Sequence, residues 1–264
     1  MYNVKVSEYL ESTEVVLYST PIFGHEKERD GIIIERDYKE MEIYSFIAFQ
    51  TKRKSDDSEK ESNKLHSFFV SFNRTKNKIY NYARANKWEW FLTFTFNPAY
   101  IDSYNYDEIV EAMHVFLRHM GDISNNRAKY LIVPEKHKSG RYHLHGVFSN
   151  LDMSVWRFQY SGHNTKGGIP IYNIGCFPFG FTTATQVQSS TRVSHYIAKY
   201  ITKDMFDSIK SKKRYWVSRN VSDGIHNNFY MSKREIEILL NSFGECENVK
   251  SVETPYNNIR YYQF

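Results

Sequence analysis

Residues 129–149 read KYLIVPEKHKSGRYHLHGVFS, two runs rich in β-branched and aromatic residues around a His-Lys-Ser-Gly turn. So short a connection between two strand-like runs closes only as an antiparallel hairpin. Side chains alternate across a strand, so His143 and His145 project from one face. A three-residue turn at 138–140 places Glu135 opposite His143, with Cβ atoms about 4.5–5.5 Å apart. Two imidazoles and a carboxylate then lie within reach of one divalent ion, leaving positions for water or substrate oxygens. Nitrogen–oxygen ligation without thiolate suits Mg²⁺ or Mn²⁺ in phosphate chemistry, and Zn²⁺ also accepts such ligands. The same pattern also describes two ordinary half-buried histidines, in a chain that has ten.

Other elements fall around this hairpin. WEWFLTFTF (88–96), ended by Asn97-Pro98, is a strand by its β-branched and aromatic content. YDEIVEAMHVFLRHMGD (106–122) is an amphipathic helix. Its face carries Ile109, Met113, Phe116, Leu117 and Met120, acids open it, and Gly121 is expected to close it. A Gly/Ser/Asn-rich loop is expected at about 159–170, a strand at GFTTATQV (180–187), and a helix from about 190 to 205 capped by Ser189 or Ser190. The first 50 residues suggest strands at 14–20, 31–37 and 42–50. TKRKSDDSEKESNK (51–64) reads as a charged linker, and RTKNKIYNYARANK (74–87) as a basic helix, facing phosphate or solvent. KSKKRYWVSR (210–219) is a basic cluster that suits duplex DNA or a solvated tail, and a short helix is expected near 232–241. This order predicts an α+β fold, a central antiparallel sheet with flanking helices.

YIAKYITK (196–203) repeats Tyr-Ile-x-Lys twice. On a helix Tyr196 and Tyr200 share one face with Lys199 and Lys203 beside them, while Val193, Ile197 and Ile201 form a separate apolar stripe. A phenol with a pKa near 10 is a weak nucleophile at neutral pH and needs nearby positive charge to react. A metal ion on the sheet together with Lys199 would supply it. Taken alone, tyrosine (21 of 264 residues) at this spacing is also ordinary aromatic packing.

Composition narrows the classes. Hydrophobic content of 41% with 17% aromatic residues supports a packed core rather than a disordered chain. No apolar run approaches the roughly 20 residues of a membrane span. No signal-peptide pattern is seen, and two cysteines form neither a disulfide framework nor a zinc cluster, so a cytoplasmic setting is expected. A net charge of +5 permits a nucleic-acid partner without demanding one.

With FLTFTF (91–96), EKHKSGRYHLH (135–145) and YIAKY (196–200) in this order, the sequence resembles rolling-circle replication initiators of the HUH endonuclease superfamily. The likeness is to replication-associated proteins of small bacterial phages, plasmids and mobile elements, and covers roughly residues 68–220. It implies an RRM-like, ferredoxin-like palm at 65–220, with an N-terminal extension (1–64) and a C-terminal tail (221–264). It also implies a metal-dependent DNA nickase acting on single-stranded DNA at a replication origin in a bacterial host cell. His143, His145 and Glu135 would hold Mg²⁺ or Mn²⁺, and Tyr196 or Tyr200 would attack, leaving a 5′-phosphotyrosyl link and a free 3′-hydroxyl. Lys199, and Lys203 beside the second tyrosine, would orient the phosphate. The chain has no Gly-Lys dipeptide and therefore no phosphate loop of the Walker type, so a host helicase and polymerase are expected partners. A transposase or relaxase of the same superfamily, and a non-catalytic single-strand-binding module using exposed aromatics, are the alternatives.

Overall fold

The computed structural model describes residues 1–23, 56–200, 209, 212–254 and 257–264. In chain order the elements are β1 (Tyr2–Glu8), β2 (Thr13–Ile22), α1 (Asp56–Arg84), β3 (Trp90–Phe96), α2 (Tyr106–Ile123), β4 (Lys129–Lys136), β5 (Tyr142–Ser149) and β6 (Phe158–Asn164). They continue with β7 (Pro170–Ile174), β8 (Gly180–Gln186), α3 (Ser190–Lys199), β9 (Trp216–Val217), β10 (Ile225–Phe229), α4 (Lys233–Ser242), β11 (Asn248–Glu253) and β12 (Asn258–Gln263). Two antiparallel sheets with four helices make the fold α+β. The chain divides into two units, 1–75 with 224–264, and 76–223.

In the first unit the strands run in the order β10-β1-β2-β12-β11. The two chain ends are thus woven into one sheet, a pairing that their separation in sequence hides. Val4, Val6 and Val15 are its buried centre, and Ile236, Leu240 and Phe243 of α4 pack against them. Ser232 caps α4 in a reciprocal box: its hydroxyl accepts from the Glu235 N–H, and the Glu235 carboxylate accepts from the Ser232 N–H. The strands expected at 31–37 and 42–50 lie outside the described residues. Of the expected linker, 51–55 also lie outside them, and 56–64 form the first turns of α1. That segment has no proline or glycine and opens on acids, which suit a helix N-terminus.

In the second unit the order is β6-β7-β8-β3-β5-β4-β9. Strand β3 lies between β8 and β5, and its alternation sorts two faces. Leu92, Phe94 and Phe96 are buried on one. There Phe94 meets Phe116 of α2 edge-on at 6.0 Å, and all five predicted apolar residues of α2 are buried. Phe91, Thr93 and Thr95 occupy the other face.

Helix α2 does not stop at Gly121 but runs to Ile123. The reversal is made by Asn125 and Asn126, both with positive φ, and the Asn126 N–H returns to the Gly121 carbonyl at 2.8 Å. A side chain at 121 would meet the Asn126 amide oxygen at 2.6 Å, so the glycine serves close approach rather than termination. The loop expected at 159–170 is mostly a hairpin, with Tyr160 opposite Tyr172 and Asn164 opposite Pro170. Much of β6 faces solvent, so no alternation of polarity marks it. The basic cluster at 210–219 contains β9, which extends the sheet beside β4 and buries Trp216.

Candidate functional site

The hairpin register pairs Glu135 with His143 and Val133 with His145 across β4 and β5. On the other side of β5, Thr95 of β3 stands opposite His143 and Thr93 opposite His145. A Thr-x-Thr therefore faces a His-x-His. Each hydroxyl reaches the Nδ1 of its partner imidazole, Thr93 Oγ1 to His145 and Thr95 Oγ1 to His143, both at 3.1 Å.

His145 is 7% exposed, and its Nε2 lies 2.6 Å from Glu135 Oε2. The distance resembles an ion pair, but burial holds the His145 imidazole below the usual histidine range despite the opposing pull of Glu135. The bond is therefore read as a neutral N–H donating to a carboxylate. Burial also lowers His143, with His137 and His145 adding to the effect. Neutral imidazole is the form that binds a metal ion.

His137, in the hairpin turn, stacks on His143 with ring centroids 4.5 Å apart, and its Nε2 lies 3.7 Å from Glu135 Oε2. Sequence reasoning passed over this third histidine because a turn has no side-chain periodicity. It also passed over the two threonines, whose signal is present: Thr-x-Thr has the same period of two as His-x-His.

Helix α3 lies over this same face. The Ser189 hydroxyl accepts from the Arg192 N–H at 3.3 Å and supplies its cap, while Val193 and Ile197 are buried beneath it. Tyr200 sits on the turn that follows Lys199, its N–H on the Ile197 carbonyl at 3.3 Å. Its ring lies flat on that of His145, with centroids 3.9 Å apart and planes 14° from parallel. Tyr196 meets Tyr200 edge-on at 5.3 Å and Phe91 at 5.2 Å, and is 45% exposed. Burial, a hydrogen bond with Tyr196 and the negative Glu135 all push the Tyr200 phenol upward, so it stays protonated. Lys199 is exposed at the helix end; Lys203 and Ile201 lie outside the described residues.

Glu135, His143, His145, Tyr196 and Tyr200 are thus brought together from a hairpin and from a helix much further along the chain. Among the described residues no three or more His, Cys, Asp or Glu side chains stand gathered as a preformed cation site. The Glu135 carboxylate is engaged by His145 instead. The donor types still fit a hard or borderline divalent ion, with two neutral imidazoles, one carboxylate and no thiolate. Beside Tyr196 a groove of about 460 Å³ is lined by Phe91, Thr93, Thr185, Gln186 and Arg192 among others. No helix among the described residues is long and apolar enough to cross a membrane.

Residues 89–205, from β3 through α3, match the family model of the ORF2-type replication-associated proteins, consistent with a rolling-circle replication initiator. The matched span contains every residue of the site described above. No curated protein and no solved structure matches the chain.

Proposed function

We propose that this protein is a metal-dependent single-strand DNA nicking and joining enzyme that starts rolling-circle replication with a tyrosine nucleophile. The observation that carries the reading is the Tyr200 ring laid on His145 at 3.9 Å. It supports an arrangement in which phenols and prospective ligands act on one phosphate.

Tyr196 is the first nucleophile, because it is half-exposed and lines the groove, whereas Tyr200 is held protonated over the histidine. The Tyr196 Oη–P bond forms as the P–O3′ bond breaks. The phenol gives up its proton, and the departing 3′-oxygen takes one up and becomes a hydroxyl that a host polymerase extends. The strand remains attached as a 5′-phosphotyrosine. Tyr200, hydrogen-bonded to Tyr196, receives the strand in the closing exchange, so each ester replaces another with little net bond energy.

Glu135, His143 and His145 are the residues that would hold Mg²⁺ or Mn²⁺, which when bound supplies positive charge to the phosphate oxygens. Lys199 contributes a second cation, and Lys203 is placed by sequence beside Tyr200. In the groove, the Phe91 and Tyr196 rings offer stacking faces to bases and Arg192 a phosphate contact. A separate host helicase supplies unwinding.

The test is incubation with single-stranded oligonucleotides tiled across the protein's own replicon, with Mn²⁺, followed by denaturing electrophoresis. A DNA-shifted protein band is expected for one segment, and EDTA abolishes it. It is lost in His145→Ala and in Tyr196→Phe, while Tyr200→Phe still cleaves but fails to rejoin. Full adduct in the double Tyr→Phe variant would refute the nucleophile assignment. DNA binding that is independent of metal and leaves no adduct would mark a non-catalytic binding module.

A further inference from the structure

We infer that Thr93 and Thr95 are positioning residues for the histidine pair, acting as hydrogen-bond partners that accept either imidazole tautomer; this rests on the metal-site reading above. The geometry is specific. Two successive cross-strand pairs, Thr93 with His145 and Thr95 with His143, each place a hydroxyl 3.1 Å from Nδ1. Neither contact is incidental to burial, because the hydrophobic members of β3 that build the core point to the opposite face.

The chemistry explains why threonine rather than valine, its isostere, stands at both positions. In the metal-free protein His145 Nε2 lies 2.6 Å from the Glu135 carboxylate, an acceptor-only group when ionised. A lone pair cannot face it there, so Nε2 carries the hydrogen. Nδ1 is then the lone-pair nitrogen and accepts from the Thr93 hydroxyl. When Nε2 ligates an ion through its own lone pair, the hydrogen must move to Nδ1, and that N–H needs an acceptor. The Thr93 oxygen serves by rotating its hydrogen away. A hydroxyl is both donor and acceptor, so one side chain satisfies both states, which neither a carbonyl nor an N–H can do. Thr95 stands in the same relation to His143. Each threonine thereby holds its ring plane while the ring exchanges tautomers, so Nε2 keeps its direction.

The role gives FLTFTF a function besides its strand propensity. Its Leu and the Phe residues at 94 and 96 build the core, and its Thr-x-Thr supports the His-x-His from the neighbouring strand. Second partners of ligating histidines typically change metal affinity about 10- to 100-fold when removed.

The experiment is calorimetric titration of the full-length protein with MnCl₂, for wild type, Thr93→Val, Thr95→Val, the matching Thr→Ser variants and His145→Ala. Circular dichroism confirms that each remains folded at the titration temperature. Each valine variant is expected to bind Mn²⁺ about 10- to 100-fold more weakly, and serine to restore affinity to within about 3-fold. A purely structural role would lower the melting temperature of the valine variants but leave the Mn²⁺ affinity of folded protein unchanged. Valine variants that bind like wild type, while His145→Ala does not bind, overturn the threonine role and leave the proposed function standing. A wild-type protein that binds no Mn²⁺ overturns both.

Discussion

Gly146 follows His145 on β5, and replacing it by alanine is a direct test of how tightly the sheet beneath the histidines is packed. It stands between Leu92 of β3 and Ile132 of β4, and a Cβ there would lie 2.6 Å from Phe148 Cε2 and 2.9 Å from Ile132 Cγ1. The Leu131 carbonyl, at 3.4 Å, is backbone and cannot move aside. Phe148 has a mobile ring in principle, but it is fully buried against Trp156 and Phe94, at 5.5 and 6.0 Å between centroids. Adding one carbon to such a site costs about 1–3 kcal/mol. For a unit of this size about 3 °C is lost per kcal/mol, so Tm falls by about 3–9 °C. The control is Gly167→Ala, where the new Cβ meets nothing nearer than Thr165 Oγ1 at 3.9 Å. There the change should stay within about 0.5 kcal/mol. Thermal melts followed by circular dichroism, with urea titrations for the free energies, compare the two. If Gly146→Ala melts with Gly167→Ala, the core on that face is looser than the distances indicate.

Other predictions follow from the same contacts. Phe91 touches the rings of Tyr196, His145 and Tyr200 at 5.2, 5.8 and 6.5 Å. Phe91→Ala should slow adduct formation about 2- to 10-fold in single-turnover assays while leaving Mn²⁺ affinity unchanged, since each aromatic pair contributes about 0.5–1.5 kcal/mol. Ser232→Ala removes the cap of α4 and should destabilise the first unit by about 1 kcal/mol in urea titrations. The cap also has a pH signature. Hydrogen bonds from Ser232 hold the Glu235 carboxyl below the usual range, so its contribution is full above the unfolded pKa and is lost as pH falls through the folded one. The gap between wild type and Ser232→Ala should therefore narrow below about pH 4.

Several features of this chain are written in local sequence. The hairpin at 129–149 is one, because a short turn fixes the register and the register alone sets Glu135 against His143. The strand at 90–96 and the apolar stripe of α2 are others, since both follow from periodicity. The β6–β7 hairpin escaped because its mostly solvent-facing first strand shows no contrast between faces. The left-handed turn after α2 escaped because asparagines took the conformation that glycine usually marks.

The order of amino acids alone specifies a set of side chains and the faces they occupy: imidazoles and a carboxylate on one side of a hairpin, phenols on one side of a helix. Long-range packing then settles that these faces meet, that Tyr200 covers His145, that His137 joins them, and that both chain ends share a sheet. The reason is that periodicity constrains a residue's neighbours within its own element. Contact between elements far apart along the chain is settled by which buried faces pack together, and here by Val193 and Ile197 seating α3 so that its tyrosines reach the histidine strand.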